Sequence, residues 1–269
     1  MAENAVIHLS AGDMAIAAGL VLVSAAISVA LRLKMEKQLA LASVRTVVQL
    51  LLIGFILQKV FEISTLPVLA PVLLVMLLVA AHTAAGRPSR KYSGLGFLAF
   101  GVMSVTSLAV TITATGLIVG VEPWYRPSYL IPLLGMVLGN TMNGVSLATD
   151  HFLESLSERK QEVEMQLAMG ASRWEAARGS VAEAVRRGMI PIINSMMVVG
   201  VVSLPGMMTG QILAGADPTM AVRYQIMIMF MIAAGASAGA MGMVLLSFRR
   251  LFNCRHQLLS QRISLRRKR

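Results

Sequence analysis

In a chain of 269 residues, 56% are hydrophobic and 14% charged, against roughly 25% charged in ordinary soluble domains, which excludes a soluble globular fold and makes lipid the solvent for most of the surface. The 24 basic residues outnumber the 13 acidic ones, for a net charge of +11; beside apolar runs this suits anionic lipid headgroups, at about 1 kcal/mol per basic residue near the surface, better than it suits nucleic acid. One cysteine, Cys254, excludes a disulfide framework and is expected as a reduced thiol.

Apolar runs of about 20 residues, enough to cross ~30 Å of hydrocarbon as a helix, recur seven times. They are Gly12 to Leu31, Leu39 to Val60, Leu66 to His82, Leu95 to Val119, Tyr129 to Thr149, Met189 to Ala214 and Met220 to Phe248. The expected fold is all-α, a polytopic membrane protein of seven transmembrane helices, with residues 1-269 as one multi-pass domain. The opening "MAENAVIHLSAGD" is slightly acidic and the basic residues follow the first run, so that run is expected to remain as a span and not to be a cleaved signal.

Basic loops are retained on the cytoplasmic side. With the N-terminus outside, the inside segments hold 20 of the 24 basic residues: Arg32, Lys34 and Lys37, then Arg87, Arg90 and Lys91, six in the connection 150-188 and eight from Arg249 onward. Lys59, Arg126 and Arg223 lie outside. This orientation puts the tail 249-269 in the cytoplasm, where its charges touch anionic headgroups.

The second span, in "LASVRTVVQLLLIG", carries Arg45 with Gln49 one turn along on the same face. A desolvated guanidinium is too costly to point at lipid, so Arg45 either faces the bundle interior or a wet cavity, or snorkels to the inner interface. Asn140 and Asn143 in the fifth span, and Asn194, Thr209 and Gln211 in the sixth, supply oxygens to a transport path or hydrogen bonds between helices.

The connection 150-188 is the only sizeable soluble segment. A charged helix is expected to run to about Met169, where Gly170 takes the left-handed conformation that ends it. Ser172 with Glu175 then forms a capping box for a second helix, whose Trp174, Ala177, Val181 and Val185 make one apolar stripe suited to lying along the membrane or another protein.

In the sixth span, "SMMVVGVVSLPGMMTGQILAG" is apolar enough to cross the membrane yet holds a Leu-Pro-Gly break. Pro205 removes a helical hydrogen bond and Gly206 adds freedom, releasing backbone polar groups near mid-membrane, which is tolerated only where protein or a water-filled cavity receives them. Broken helices line pathways. The candidate translocation path is therefore Pro205, Gly206, Met207, Met208 and Gln211, with Arg45, Gln49, Asn140, Asn143 and Asn194.

The metal ligand set is open. Met196, Met197, Met207 and Met208 are candidates that serve equally as flexible packing, and thioethers suit copper(I) better than iron(II). In a straight helix Met196 and Met207 would stack ~16 Å apart on one face, a register the break alters. No phosphate-binding loop, H-E-x-x-H or intramembrane carboxylate pair occurs, so no catalytic residue is assigned and ATP hydrolysis is not placed on this chain.

Glu164, Leu167, Ala168, Gly170, Ala171, Ser172 and Trp174 in "EMQLAMGASRW" resemble the E-A-A-type loop of ABC-transporter permeases, which implies that they couple to an ATPase. "LGNTMNGVSLA" (Leu138 to Ala148), "LAMGAS" and "INSMMVVGVVSLPGMMTGQILAGADPTMAVRYQIMIMFMI" (Ile193 to Ile232) resemble the FetB-type iron-export permease family of bacteria, which has plant relatives linked to aluminium tolerance. The resemblance covers nearly the whole chain. It implies an inner-membrane permease that forms a homodimer and pairs with a separate FetA-type ATPase, which holds the ATP and Mg while this chain binds no cofactor. The implied cargo is a metal ion, iron. Another metal, a nucleotide sugar, or a non-transporting scaffold whose loop recruits a soluble protein are the alternatives.

Overall fold

The computed structural model describes residues 10–265. The first nine residues, expected outside the membrane, and the last four of the basic tail lie outside the described residues. The helices are α1 (Ala11–Ala30), α2 (Glu36–Ile63), α3 (Leu66–Gly86), α4 (Leu95–Thr113), α5 (Pro127–Glu158), α6 (Lys160–Ala168), α7 (Arg173–Val198), α8 (Gly206–Leu213) and α9 (Pro218–Leu251). A π-helical stretch, Ala114–Ile118, continues α4. Two short strands, β1 (Arg90–Lys91) and β2 (Ser264–Leu265), pair antiparallel.

The protein is a polytopic all-α membrane protein, and α1, α2, α3, α4, α5 and α9 are each long and apolar enough to cross a bilayer. The sixth expected span, Met189 to Ala214, is not one helix. It is divided between the end of α7, an irregular segment and α8. Prolines inside helices do not cause this division, since Pro71, Pro132 and Pro191 all sit within continuous helices.

The centre is a three-helix packing of α5, α7 and α9, made possible by small residues. A Cβ on Gly188 of α7 would lie 2.7 Å from the Gly144 carbonyl and from the Ala148 Cβ on α5, and one on Gly239 of α9 would lie 2.5 Å from the Thr141 Cγ2. Lipid tails are as apolar as leucine, so helices in a membrane gain chiefly from such close packing. A buried Ser155–Ser180 hydroxyl hydrogen bond of 2.8 Å adds a polar tie between α5 and α7.

α5 and α9, at 32 and 34 residues, are roughly 50 Å long and outrun the ~30 Å of hydrocarbon. The overhang lies at one end, where the α3–α4 connection, α6, the start of α7 and the C-terminal segment meet. The segment 150-188, read as a connecting loop, therefore belongs largely to the ends of α5 and α7. The apolar stripe of α7 also differs from expectation: Ala177 and Val181 are buried in the core against the chain's own helices and do not lie on the membrane surface or another protein.

The basic tail is likewise not free at the headgroups as far as Leu265. Phe252 is buried, the Leu259 N–H donates to the Leu251 carbonyl at 2.8 Å, Arg262 donates to the Arg250 carbonyl at 3.1 Å, and β2 pairs with β1. The apolar side chains Leu251, Phe252 and Leu258 pull it back onto the bundle.

The α1–α2 hairpin stands apart from this core. α2 engages the bundle only near its C-terminal end, where Ile56, Leu57 and Val60 pack with Leu69, Leu130 and Ile131. Leu20, Leu22, Val47, Leu51 and Phe55 are exposed on the hairpin, as suits lipid-facing positions.

Candidate functional site: a broken helix and a capped turn

α7 ends at Val198, and Val199 turns into an extended conformation with φ −64° and ψ 136°. Gly200 follows at φ +84°, a left-handed conformation that costs a residue with a Cβ about 1–2 kcal/mol. The Val198 carbonyl takes the N–H groups of Val201, Val202 and Ser203 at 3.3, 3.0 and 3.4 Å, and the Gly200 N–H donates to the Ser203 carbonyl at 2.9 Å. Among the described residues the carbonyls of Met196, Met197 and of Val199 through Val202 accept no backbone hydrogen bond outside the helices. Peptide oxygens are thus left available beside a membrane helix, as in the interrupted helices that bind ions in transporters.

The break is therefore displaced from where Pro205 had suggested. Pro205 is extended, with φ −64° and ψ 144°, and is the N-cap of α8; its carbonyl receives the Thr209 N–H at 3.0 Å and the Thr209 hydroxyl at 3.1 Å. No helical hydrogen bond is missing at Pro205, because the preceding segment is not helical. Pro205→Ala is accordingly expected to leave the break and the protein's thermal stability nearly unchanged, whereas Gly200→Val is expected to lose about 1–2 kcal/mol from the left-handed strain. Equal melting temperatures for the Gly200→Val variant and the parent would refute this placement of the bend.

A cavity of about 270 Å3 opens at the break. Asn140, Ser195, Ser203 and Gln225 provide its polar lining, with Met136, Met207 and Met229 among its apolar walls. The Asn140 Nδ2 donates to the Met136 carbonyl at 2.9 Å, which fixes the amide and leaves its Oδ1 to other partners. Gln225 on α9 is 6% exposed, and its Oε1 has no hydrogen-bond partner among the described residues.

A second cavity of about 700 Å3 shares Val199, Pro205, Gln225 and Met229 with the first, and adds Met196, Leu204, Met208, Val222 and Phe230. The four methionines considered as ligands are thus divided. Met207 lines the first cavity, Met196 and Met208 the second, and Met197 is 76% exposed away from both. No group of three or more His, Cys, Asp or Glu that could hold a metal exists among the described residues.

Other path candidates are placed elsewhere. Ile192 and Ser195 form the face of α7 that meets the cavity, which turns the intervening Asn194 outward. Asn143 accepts a hydrogen bond from Arg87. The Gln211 Oε1 is buried and unpartnered among the described residues but does not line the cavity. Arg45 and Gln49 are exposed on α2, away from the cavity, so the interior position considered for Arg45 does not occur within the single chain. Gln225 was missed, although a lone amide in "RYQIMIMFMI" carries the same polar-in-apolar signal as Gln49.

At the opposite end of α7 lies the Gly170 turn. α6 ends at Ala168, Gly170 adopts φ +95°, and Ser172 caps α7 through a reciprocal capping box with Glu175. The Ser172 backbone N–H, at 2.7 Å, holds the Glu175 carboxyl below the usual carboxylate range. At the entry to α6, a bidentate hydrogen bond from Arg159, at 2.8 and 2.6 Å, likewise lowers Glu162.

The turn is fixed to the bundle below it. Leu167 packs on the core, Trp174 meets Phe248 edge-on at 5.6 Å, and the Arg173 N–H donates to the His256 Nδ1 at 2.9 Å. Glu164, in an ion pair of 3.7 Å with Lys160, is exposed together with Ala168. Met165, Met169 and Trp174 add exposed apolar surface, Met169 being 80% exposed. Ala171 is half-buried beside them.

Residues 11–252 match the family described as Uncharacterised protein family (UPF0014). The chain is 38% identical to the UPF0014 membrane protein slr1647 of Synechocystis over 96% of this chain and 99% of that one. It is 31% identical to the Probable iron export permease protein FetB of Escherichia coli, covering 92% and 94% of the two chains. The protein ALUMINUM SENSITIVE 3 of Arabidopsis thaliana is 29% identical over 88% of this chain and 86% of its own length. No solved structure matches.

Proposed function

The chain belongs to the UPF0014 family of membrane proteins, and from that premise we propose that it is the permease subunit of an ABC-type exporter, driven by a separate ATPase and carrying iron. The name of the Escherichia coli relative supports the permease class and the cargo. One structural observation carries the mechanism: a single helix, α7, joins the cytoplasmic turn to the break. Its 26 residues span roughly 39 Å, with the exposed Met165, Met169 and Trp174 beside its first residue and the cavity beside its last.

A rigid helix fixed in this way is a lever. The partner ATPase, which holds ATP and Mg, engages the turn formed by Glu164, Leu167, Ala168, Gly170, Ala171, Ser172 and Trp174. Closure of the ATPase tilts α7 against α5 and α9, and the tilt is taken up at Val199 to Ser203, where no helical ladder resists it. The cavity lined by Asn140, Pro205, Gly206 and Met207 then changes its exposure, in a homodimer whose second copy completes the path. The energy enters at one end of α7 and is used at the other.

Seven crossings are proposed, α7 and α8 together making the sixth, with the N-terminus outside and the turn and tail in the cytoplasm. In support, Arg87, Arg90 and Lys91, the 150-188 segment and the basic tail gather at one end of the bundle, through the Ser89–Asp150, Arg90–Glu154 and β1–β2 contacts.

The test is efflux. Co-produced with its ATPase in inside-out vesicles, the permease should drive ATP-dependent uptake of Fe(II), and an impermeant maleimide should label Cys254 on the same vesicles. Absence of both ATPase copurification and ATP-dependent iron movement would favour the scaffold reading.

A further inference from the structure

We propose that Gln225 is a cargo ligand, and that the cavity at the break is a subsite of neutral donors that takes a small divalent cation stripped of part of its water. The inference rests on the permease reading and specifies its binding site. Gln225 lies on α9, opposite the break in α7, and lines both cavities there. The residue is only 6% exposed, and its Oε1, closed off from solvent, finds no hydrogen-bond donor among the described residues. An amide oxygen kept buried without a partner costs about 1–3 kcal/mol, a cost that a cation removes once a turn of the side chain brings the oxygen to the cavity.

The surrounding donors agree in kind. Asn140, its Nδ2 engaged with the Met136 carbonyl, lines the same cavity as Gln225, and Met207 and Met229 lie in its wall. The amide and hydroxyl oxygens are the hard donors that suit a divalent cation, and the softer thioethers are secondary to them. No lysine or arginine lines the cavity, so a nucleoside diphosphate sugar would find no countercharge for its phosphates there.

Two consequences separate this subsite from ordinary metal centres. With no carboxylate, imidazole or thiolate among its lining residues, binding holds the cation weakly enough to release it. None of the donors titrates near neutrality, so binding releases no proton and depends little on pH, unlike sites whose ligands must be deprotonated.

The experiment measures equilibrium binding of Fe(II), under anaerobic reducing conditions, to the full chain in lipid nanodiscs. Expected are saturable binding whose affinity changes less than about threefold between pH 6 and 8, at least about tenfold weaker binding by Gln225→Leu, which keeps most of the volume and removes the donor, and tighter, pH-dependent binding by Gln225→Glu. Melting temperatures of the variants establish that each is folded. The proposal is overturned if folded Gln225→Leu binds less than about tenfold weaker than the parent, if parental affinity changes more than about threefold over that pH range, or if the parent binds no Fe(II) saturably. Vesicle efflux keeps the two readings apart: iron transport without Gln225-dependent binding sinks this subsite alone, whereas such binding without transport sinks the permease reading and leaves the subsite.

Discussion

Gly188→Leu should abolish accumulation of the folded protein in the membrane, and Gly239→Leu should do the same. At Gly188 even a methyl carbon would stand 2.7 Å from both the Gly144 carbonyl and the Ala148 Cβ, and at Gly239 2.5 Å from the Thr141 Cγ2. Those neighbours are backbone or short branches of packed helices and cannot swing aside. Overpacking in a core costs about 1–3 kcal/mol, sometimes more, and here it would wedge apart α5, α7 and α9 together, against a total stability of about 5–15 kcal/mol.

Gly54→Leu on α2, where a Cβ meets nothing within 4 Å, is the matched control and should accumulate normally. Combining Gly188→Ala with Ala148→Gly should recover only part of the loss, because the Gly144 carbonyl remains in the way. The measurements are membrane abundance and melting temperature in detergent. Normal values for Gly188→Leu would mean that α7 does not pack against α5 as described.

Gly170→Pro should leave the spans inserted while uncoupling ATP hydrolysis from transport. The native φ of +95° is closed to proline, whose ring holds φ near −65°, and the substitution also deletes the N–H that donates to the Leu167 carbonyl at 3.1 Å. The turn must then rearrange, moving Met165 and Met169 relative to Trp174 and so changing the surface at which the proposed ATPase contact would form. α7 itself should survive, since its Ser172–Glu175 capping box begins after the altered residue.

Glu164→Arg with Trp174→Ala attacks the same surface by charge reversal and loss of the aromatic knob, and should reduce ATPase copurification. In reconstituted vesicles the expected result is residual ATP hydrolysis with iron movement at background. Unchanged copurification and unchanged transport in both variants would remove the turn from the coupling mechanism. Acid should weaken the turn as well. Glu175 and Glu162 are held below the usual carboxylate range, so their contribution is complete above the unfolded-state pKa and is lost as pH falls through the lower folded-state value.

What was legible in the sequence is what depends on short stretches of chain. Apolar length alone located α1, α2, α3, α4, α5 and α9 to within a few residues at most ends, because a segment in lipid must satisfy its own backbone hydrogen bonds. The Gly170 turn and the Ser172–Glu175 box were legible for the same reason: caps are interactions over three or four residues, written in the residues that make them.

Tertiary structure decided the rest. Composition pointed to Pro205 as the break, but α7 stops at Val198 and bends at Gly200, while Pro191 is carried within the helix. Proline removes one donor, whereas whether a helix continues depends on whether packing against α5 and α9 repays the freed groups. Likewise the stripe of Ala177 and Val181 declares an apolar face but not which surface covers it, and the tail's charges conceal that Phe252 and Leu258 fold it back. Gln225 shows the limit most sharply. Its sequence context marks a polar side chain in an apolar helix, yet only the meeting of α9 with the broken end of α7 leaves its oxygen buried and unpartnered beside a cavity, because that depends on residues about 25 positions apart being brought together by helix packing.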